Sequence, residues 1–143
     1  MSSLRIVVIG GGAAGFFGAI TAAETFPDAT ITVLEKSRTV LNKVRISGGG
    51  RCNVTHACFD NKKLVKYYPR GEKPLRNLLN QFDATTTVRW FEAHGVALKT
   101  EADGRMFPST NTSETIVTCL MGTARRLGIQ VRTSCGVSTL TPT

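Results

Sequence analysis

Three observations predict an α/β fold organised by a parallel sheet. The first is a β-branched run, Leu4-Arg5-Ile6-Val7-Val8-Ile9, that passes without a break into Gly10-Gly11-Gly12-Ala13-Ala14-Gly15. The second is a similar run, Thr30-Ile31-Thr32-Val33-Leu34-Glu35, reached through a segment with helical apolar spacing. The third is the form of residues 10–15, G-x-G-x-x-G, directly after a strand and before a helix. Strand, helix and strand in about thirty residues is the length of a βαβ unit, so the strands should be parallel and the crossover right-handed.

Each glycine of the motif has a physical task. Gly10 allows the tight turn out of the strand. Gly12 lacks a Cβ, so a pyrophosphate can approach the backbone. Gly15 lets the helix lie close on the strand. The first helical N–H groups, at Ala13 and Ala14, then face the phosphates at the positive end of the helix dipole. The helix itself should run over residues 13–25, with Ala13, Phe16, Phe17, Ile20 and Ala23 as its buried face and Phe26-Pro27-Asp28 as its end.

Glu35 closes the second strand, twenty residues beyond Gly15. That is where an acid binds an adenosine ribose through its hydroxyls and repels a 2′-phosphate. The same acid could be an ordinary surface residue, but the correctly placed glycines favour ribose.

Residues 36–60 depart from a plain nicotinamide-binding fold. They read as a shaped loop rather than a helix, built on Lys43-Val44-Arg45-Ile46 and Ser47-Gly48-Gly49-Gly50-Arg51-Cys52-Asn53. Three consecutive glycines favour no regular element and permit close backbone approach to a flat or anionic ligand. Arg51 can fork to a phosphate or carbonyl, and Asn53 can donate and accept at a ring edge.

Composition bounds the rest. A chain of 143 residues is long enough for one domain with a real core. No apolar stretch spans a bilayer and no secretory signal pattern opens the chain, so a cytoplasmic location is the default. The net charge of +8 is uneven. Residues 36–76 hold eleven Lys/Arg against two acids, a balance of +9, which leaves −1 elsewhere. Such a segment is a solvated face, a nucleic-acid surface or a neutraliser of a bound polyanion. Cys52, Cys58, Cys119 and Cys135 form no C-x-x-C, and His56 and His94 complete no zinc spacing, so no metal site is expected. Cys119 and Cys135 read as buried free thiols.

The middle reads as mainly helical, over residues 73–82 and 85–94, with His94 capping the second helix at Gly95. Residues 96–99 and 105–107 form two short strands around Asp103-Gly104. Asn111-Thr112-Ser113-Glu114 has the cap-x-x-Glu form of a helix start, and that helix runs to about Leu127 before Gly128. Residues 129–133 are the third strand, and residues 135–140 begin another.

Taken together, residues 10–15, Glu35, the block Lys43 to Thr55 and Gly104-Arg105-Met106-Phe107-Pro108-Ser109 resemble the bacterial BaiN/RdsA-like flavoproteins, also known as aminoacetone oxidase family FAD-binding enzymes. The Ser-Gly-Gly-Gly-Arg-Cys-Asn block is the most specific part. The resemblance implies a Rossmann-like FAD/NAD(P)-binding fold of the glutathione-reductase type and a two-electron reductase or oxidase of a small molecule, with NAD(P)H as a candidate electron donor. Carried over by position, Gly10, Gly12, Ala13, Ala14 and Gly15 would hold the FAD pyrophosphate. Glu35 would bind ribose, with Lys36 beside the adenosine. Lys43, Ser47, Gly48, Gly49, Gly50, Arg51, Cys52 and Asn53 would run along the flavin half, and Val137 would reach the adenine through its backbone. Arg51 or Lys43 would stabilise the charge of reduced flavin. His56 stands where the family pattern has Asn.

The resemblance also implies a longer protein. Residues 1–143 would be the N-terminal part of an FAD-binding domain, with residues 36–111 a cofactor loop plus a mainly helical excursion. The substrate domain and the C-terminal segment that closes over the flavin would be absent, leaving an incomplete three-layer β/β/α fold. Of a sheet ordered 3-2-1-4-5 only strands 1 to 3 would be present, exposing strand 1 to self-association. No catalytic acid or base stands out. An NAD-binding Rossmann domain explains residues 10–15 and Glu35 but not residues 43–55. A flavin-dependent RNA-modifying or RNA-binding protein would use the basic 36–76 segment, but its few aromatics, Phe59, Tyr67 and Tyr68, argue against nucleic acid.

Overall fold

A computed structural model describes residues 4–142. Its main sheet is parallel, with strand order β1-β2-β6. β1 (Arg5–Ile9) pairs in parallel with β2 (Thr30–Leu34), and β2 pairs in parallel with β6 (Gln130–Arg132). This is the 3-2-1 half of the expected order. α1 (Ala13–Thr25) makes the crossover between β1 and β2.

The register puts Ile6 opposite Ile31 and Val8 opposite Val33. That face is covered: Ile31 and Val33 are buried against Phe16, Ala19 and Ile20 of α1 and Ile116, Val117, Leu120 and Ala124 of α6 (Ser113–Arg126). Each large apolar side chain sequestered this way contributes about 1.5–3 kcal/mol. The other face is open, and Val7 and Ile9 are each more than half exposed. Ala13 and Phe17 were expected in the core face of α1. Ala13 is instead exposed and Phe17 half-buried, because both turn toward a cavity rather than the sheet.

After β2 the chain folds back over the glycine turn. The Leu41 N–H donates to the Gly11 carbonyl at 2.8 Å, and Leu41 is buried in a left-handed conformation, φ 60°. The expected loop over residues 42–46 is corrected here: α2 spans Asn42–Gly50, and its first turn is a true helical turn anchored by buried Val44. The glycine run then behaves as anticipated. Ser47 is extended at ψ 152°, and Gly48 and Gly49 are left-handed, which breaks the helix. Arg45 pairs with Glu114 and accepts on its carbonyl from the Ser113 hydroxyl at 2.9 Å, which ties α2 to α6.

A second sheet is antiparallel, in order β3-β5-β4: β3 (Thr55–His56), β4 (Leu98–Thr100) and β5 (Arg105–Pro108). The β4–β5 hairpin is the expected one, while β3 went unread inside the glycine-rich block. Between β3 and β4 lie α3 (Asn61–Leu64), a 3₁₀ turn (Val65–Tyr67), α4 (Glu72–Leu79) and α5 (Ala84–Ala93). His94 does cap α5, stacking on Trp90 at 3.9 Å.

Three further readings change. The N-cap of α6 is Thr112, which accepts from the Glu114 N–H, while Asn111 sits left-handed at φ 58°. Residues 135–140 form no strand, because Ser134 turns the chain at φ 53° and Cys135 then donates to the Glu35 carbonyl at 2.8 Å. Cys119 and Cys135 are half-buried rather than buried.

Candidate functional site

A cavity of about 920 Å³ opens where the C-terminal ends of β1 and β2 meet α1 and α2. Its polar end is built from Gly11, Gly12, Ala13 and Ala14, from Glu35, Lys36 and Ser37 at the end of β2, and from Thr39, Asn42, Lys43 and Ser47. Cys52 and Asn53 also line it. The apolar part of the lining is Phe17, Val44, Val54, Phe82, Phe91, Ile116 and Leu120.

The glycine turn shapes the polar end. Gly10 takes φ 103°, and a Cβ on Gly15 would lie 1.9 Å from the Gly10 carbonyl oxygen. Both therefore frame the site without lining it. A Cβ on Gly12 would meet nothing within 4 Å, so that position faces open space. Gly12 is also the N-cap of α1 and offers no side-chain cap to the helix. The first N–H groups of α1 consequently point, without a side-chain acceptor, at the cavity. An anion there would satisfy them and meet the positive end of the helix dipole. The cradle thus fits the pyrophosphate of a dinucleotide such as FAD.

Glu35 is fixed by the backbone. Its two carboxylate oxygens accept the Ser37 and Gly11 N–H groups, each at 2.7 Å. These bonds, Ser37 first and then Gly11, hold its carboxyl below the usual carboxylate range. Each oxygen keeps a further lone pair for a ribose hydroxyl. Gly11, the variable position of the motif, is itself constrained: a Cβ there would lie 2.8 Å from Val40 Cγ1 and 3.1 Å from Glu35 Cβ. The motif spacing gives no hint of this, because the neighbour that excludes a side chain, Val40, comes from the returning loop. Val137 does not line the cavity, but a Cβ on Gly136 would lie 3.3 Å from Lys36 Cβ and the Cys135 N–H donates to the Glu35 carbonyl, so the segment passes the end of β2.

The flavin-half residues divide. Lys43, Ser47, Cys52 and Asn53 line the cavity, and Gly48, Gly49, Gly50 and Arg51 are outside its lining. Arg51 instead pairs with Glu101 and lies 3.9 Å over the Phe107 ring. Cys52 is buried, and burial pushes its thiol up, which removes the basis for an activated thiolate. Among the described residues no cluster of His, Cys, Asp and Glu could hold a metal ion, and no helix is long and apolar enough to cross a membrane.

The family model of the HI0933-like protein Rossmann domain matches residues 4–143. The chain belongs to the HI0933-like family. It is 33% identical over 138 residues to a 3-dehydro-bile acid delta(4,6)-reductase from Clostridium scindens, which agrees with the resemblance to the BaiN/RdsA-like group. That match covers 95% of this chain and 32% of the relative, so the chain spans about a third of the relative's length. The fold is similar to the open conformation of a flavocytochrome c3 fumarate reductase, at TM-score 0.62 and 19% identity over 93% of this chain and 27% of that one. It is also similar to THI4 of Thermovibrio ammonificans, at TM-score 0.55 and 11% identity over 92% of this chain and 38% of that one. The fold is therefore a Rossmann-like α/β domain with a parallel sheet, as the sequence predicts.

Proposed function

We propose that this HI0933-like Rossmann domain binds FAD and forms the cofactor cradle of a flavin-dependent oxidoreductase acting on a small molecule. One observation carries the reading: the uncapped N-terminus of α1, the open position at Gly12, the fixed carboxylate of Glu35 and the side chains of Lys43, Ser47, Cys52 and Asn53 all border one cavity. Ala13, Ala14 and Gly12 would take the pyrophosphate, and Glu35 the adenosine ribose. Lys36 and residues 136–137 would flank the adenine. Lys43, Ser47, Cys52 and Asn53 would border the flavin half. When bound, the flavin supplies two-electron chemistry, while the protein binds it, orients it and limits water. The named activity of the Clostridium scindens relative supports a reductase; NAD(P)H is the electron donor we propose for it.

The basic segment supports the same reading. Arg45 pairs with Glu114, Arg51 with Glu101, and Lys66 and Arg76 with Glu72. Lys36 and Lys43 have no ion-pair partner among the described residues and border the cavity, where they would offset dinucleotide charge.

The recognition groups in hand are mainly those for adenosine and pyrophosphate, which makes a specific order testable. In a thermal-shift series FAD and ADP should both raise the midpoint, FAD more, and FMN should raise it little. Protection by FMN equal to that by FAD, with none from ADP, would contradict the assignment.

A further inference from the structure

We propose that Arg51 is a positioning residue, a clasp that holds the glycine-rich block against the β4–β5 hairpin, and that it presents Cys52 and Asn53 to the cavity rather than touching the flavin itself. The proposal rests on the FAD reading above and corrects the role in flavin charge that the family resemblance implies for Arg51.

The donors of Arg51 are committed to protein. Its two terminal nitrogens face the Glu101 carboxylate, one of them at 3.4 Å, and Nε donates to the Gly48 carbonyl at 3.4 Å. Its flat face covers Phe107, 3.9 Å from the ring centroid, a distance suited to cation–π attraction. Arg105 approaches the same ring at 5.4 Å and Glu101 at 3.8 Å, so Glu101 bridges two guanidinium groups. Phe107 is completely buried. Gly48 packs closely against the same assembly. A Cβ on Gly48 would lie 2.8 Å from Phe107 Cε1 and 2.8 Å from the Asn53 nitrogen.

The block is therefore stapled at both ends. Cys52 donates to the Ser47 carbonyl at 2.9 Å and Val54 to the Met106 carbonyl at 2.9 Å. Between these bonds, Cys52 sits left-handed at φ 62°, a costly conformation for a residue with a Cβ. The surroundings must hold it there: the Val54 N–H ties the backbone to β5, and Arg51 is the side chain that ties the strained turn to the β4–β5 hairpin. Only when that turn is held do Cys52 and Asn53 line the cavity together.

The test uses the full chain with Cys58, Cys119 and Cys135 replaced by Ser, so that Cys52 is the single thiol. Arg51→Met, Arg51→Lys, Glu101→Gln and the double variant Arg51→Met/Glu101→Gln are compared. Without FAD, thiol-reagent labelling of Cys52 should speed up by about tenfold in each single variant, the size of one partly buried charge-and-ring contact. Lys should not rescue, because it lacks the fork and the flat face. The double variant should be no worse than either single one, because both changes open the same clasp. FAD affinity should fall in parallel.

The midpoint potential of the bound flavin separates the two roles. A charge acting directly on the flavin would make loss of Arg51 and loss of the Glu101 charge move the potential in opposite directions. Equal shifts, or none, support the clasp. Opposite shifts, or Cys52 labelling that Glu101→Gln leaves unchanged, overturn it. If the wild-type chain takes up no FAD, the cofactor assignment fails, while the labelling comparison still decides whether the clasp exists.

Discussion

Gly11 and Gly12 are neighbours in sequence and opposites in space. Gly11 is enclosed by Val40 and Glu35, and Gly12 faces open cavity. Gly11→Ala should therefore cost about 1–3 kcal/mol of stability, the usual range for overpacking, read by urea denaturation. Gly12→Ala should leave stability within about 0.5 kcal/mol of wild type, yet weaken FAD binding at least tenfold, because the methyl occupies the pyrophosphate approach. Equal destabilisation by both would contradict the geometry. The G-x-G-x-x-G spacing makes Gly12 legible in the sequence. It cannot reveal Gly11, whose constraint comes from a loop nearly thirty positions away. Glu35 was legible for the same reason as Gly12, but its second task, gripping the glycine loop, was not. Because the folded state holds the Glu35 carboxyl below its ordinary value, its charge stabilises the fold fully above that ordinary range. The contribution is lost as pH falls through the depressed value. The stability gap between wild type and Glu35→Gln should be open at neutral pH and should narrow as pH falls below the ordinary glutamate range, and an unchanged gap would exclude the charge as its source.

The elements differ in how firmly they are tied. α6 buries Ile116, Val117, Leu120 and Ala124 in the main core, and α4 buries no residue at all. Leu120→Ala should thus cost about 2–5 kcal/mol. Leu78→Ser on α4, where the side chain is 57% exposed, should cost less than about 0.5 kcal/mol. Amide hydrogen exchange should follow the same order, fast in α4 and slow in α6, and a reversed order would mean the core is misplaced. Elements carrying strong local signals were readable: β1 and β2 from their β-branched runs, α1 from periodicity, α5 and α6 from capping residues, and the β4–β5 hairpin from Asp103-Gly104. The elements missed depend on distant partners. The turn at residues 42–46 survives because Val44 finds the core, and β3 exists because β5 lies beside it. Residues 135–140 have β-branched character, but the left-handed Ser134 steers them to the end of β2 instead of a ladder.

At the scale of the molecule, one sheet face is packed and the other is open. Among the described residues β1 pairs only with β2, and Leu4, Val7 and Ile9 are about half exposed beside that free edge. An uncovered apolar edge recruits other strands. The chain on its own is expected to self-associate in sedimentation velocity, and Val7→Lys with Ile9→Lys should shift it toward monomer. A wild-type chain that stays monomeric at high concentration would show that this edge is harmless. The edge was foreseeable from the sequence, since of the expected order 3-2-1-4-5 only strands 3, 2 and 1 are expected within these residues.

The central claim is the cofactor, and equilibrium titration of the purified chain with FAD, followed by flavin fluorescence, tests it most directly. The cradle at Gly12, Glu35, Lys43, Ser47, Cys52 and Asn53 predicts saturable one-to-one binding that Gly12→Ala weakens and excess ADP displaces. A flavin signal that never saturates, or that neither Gly12→Ala nor ADP alters, would contradict it.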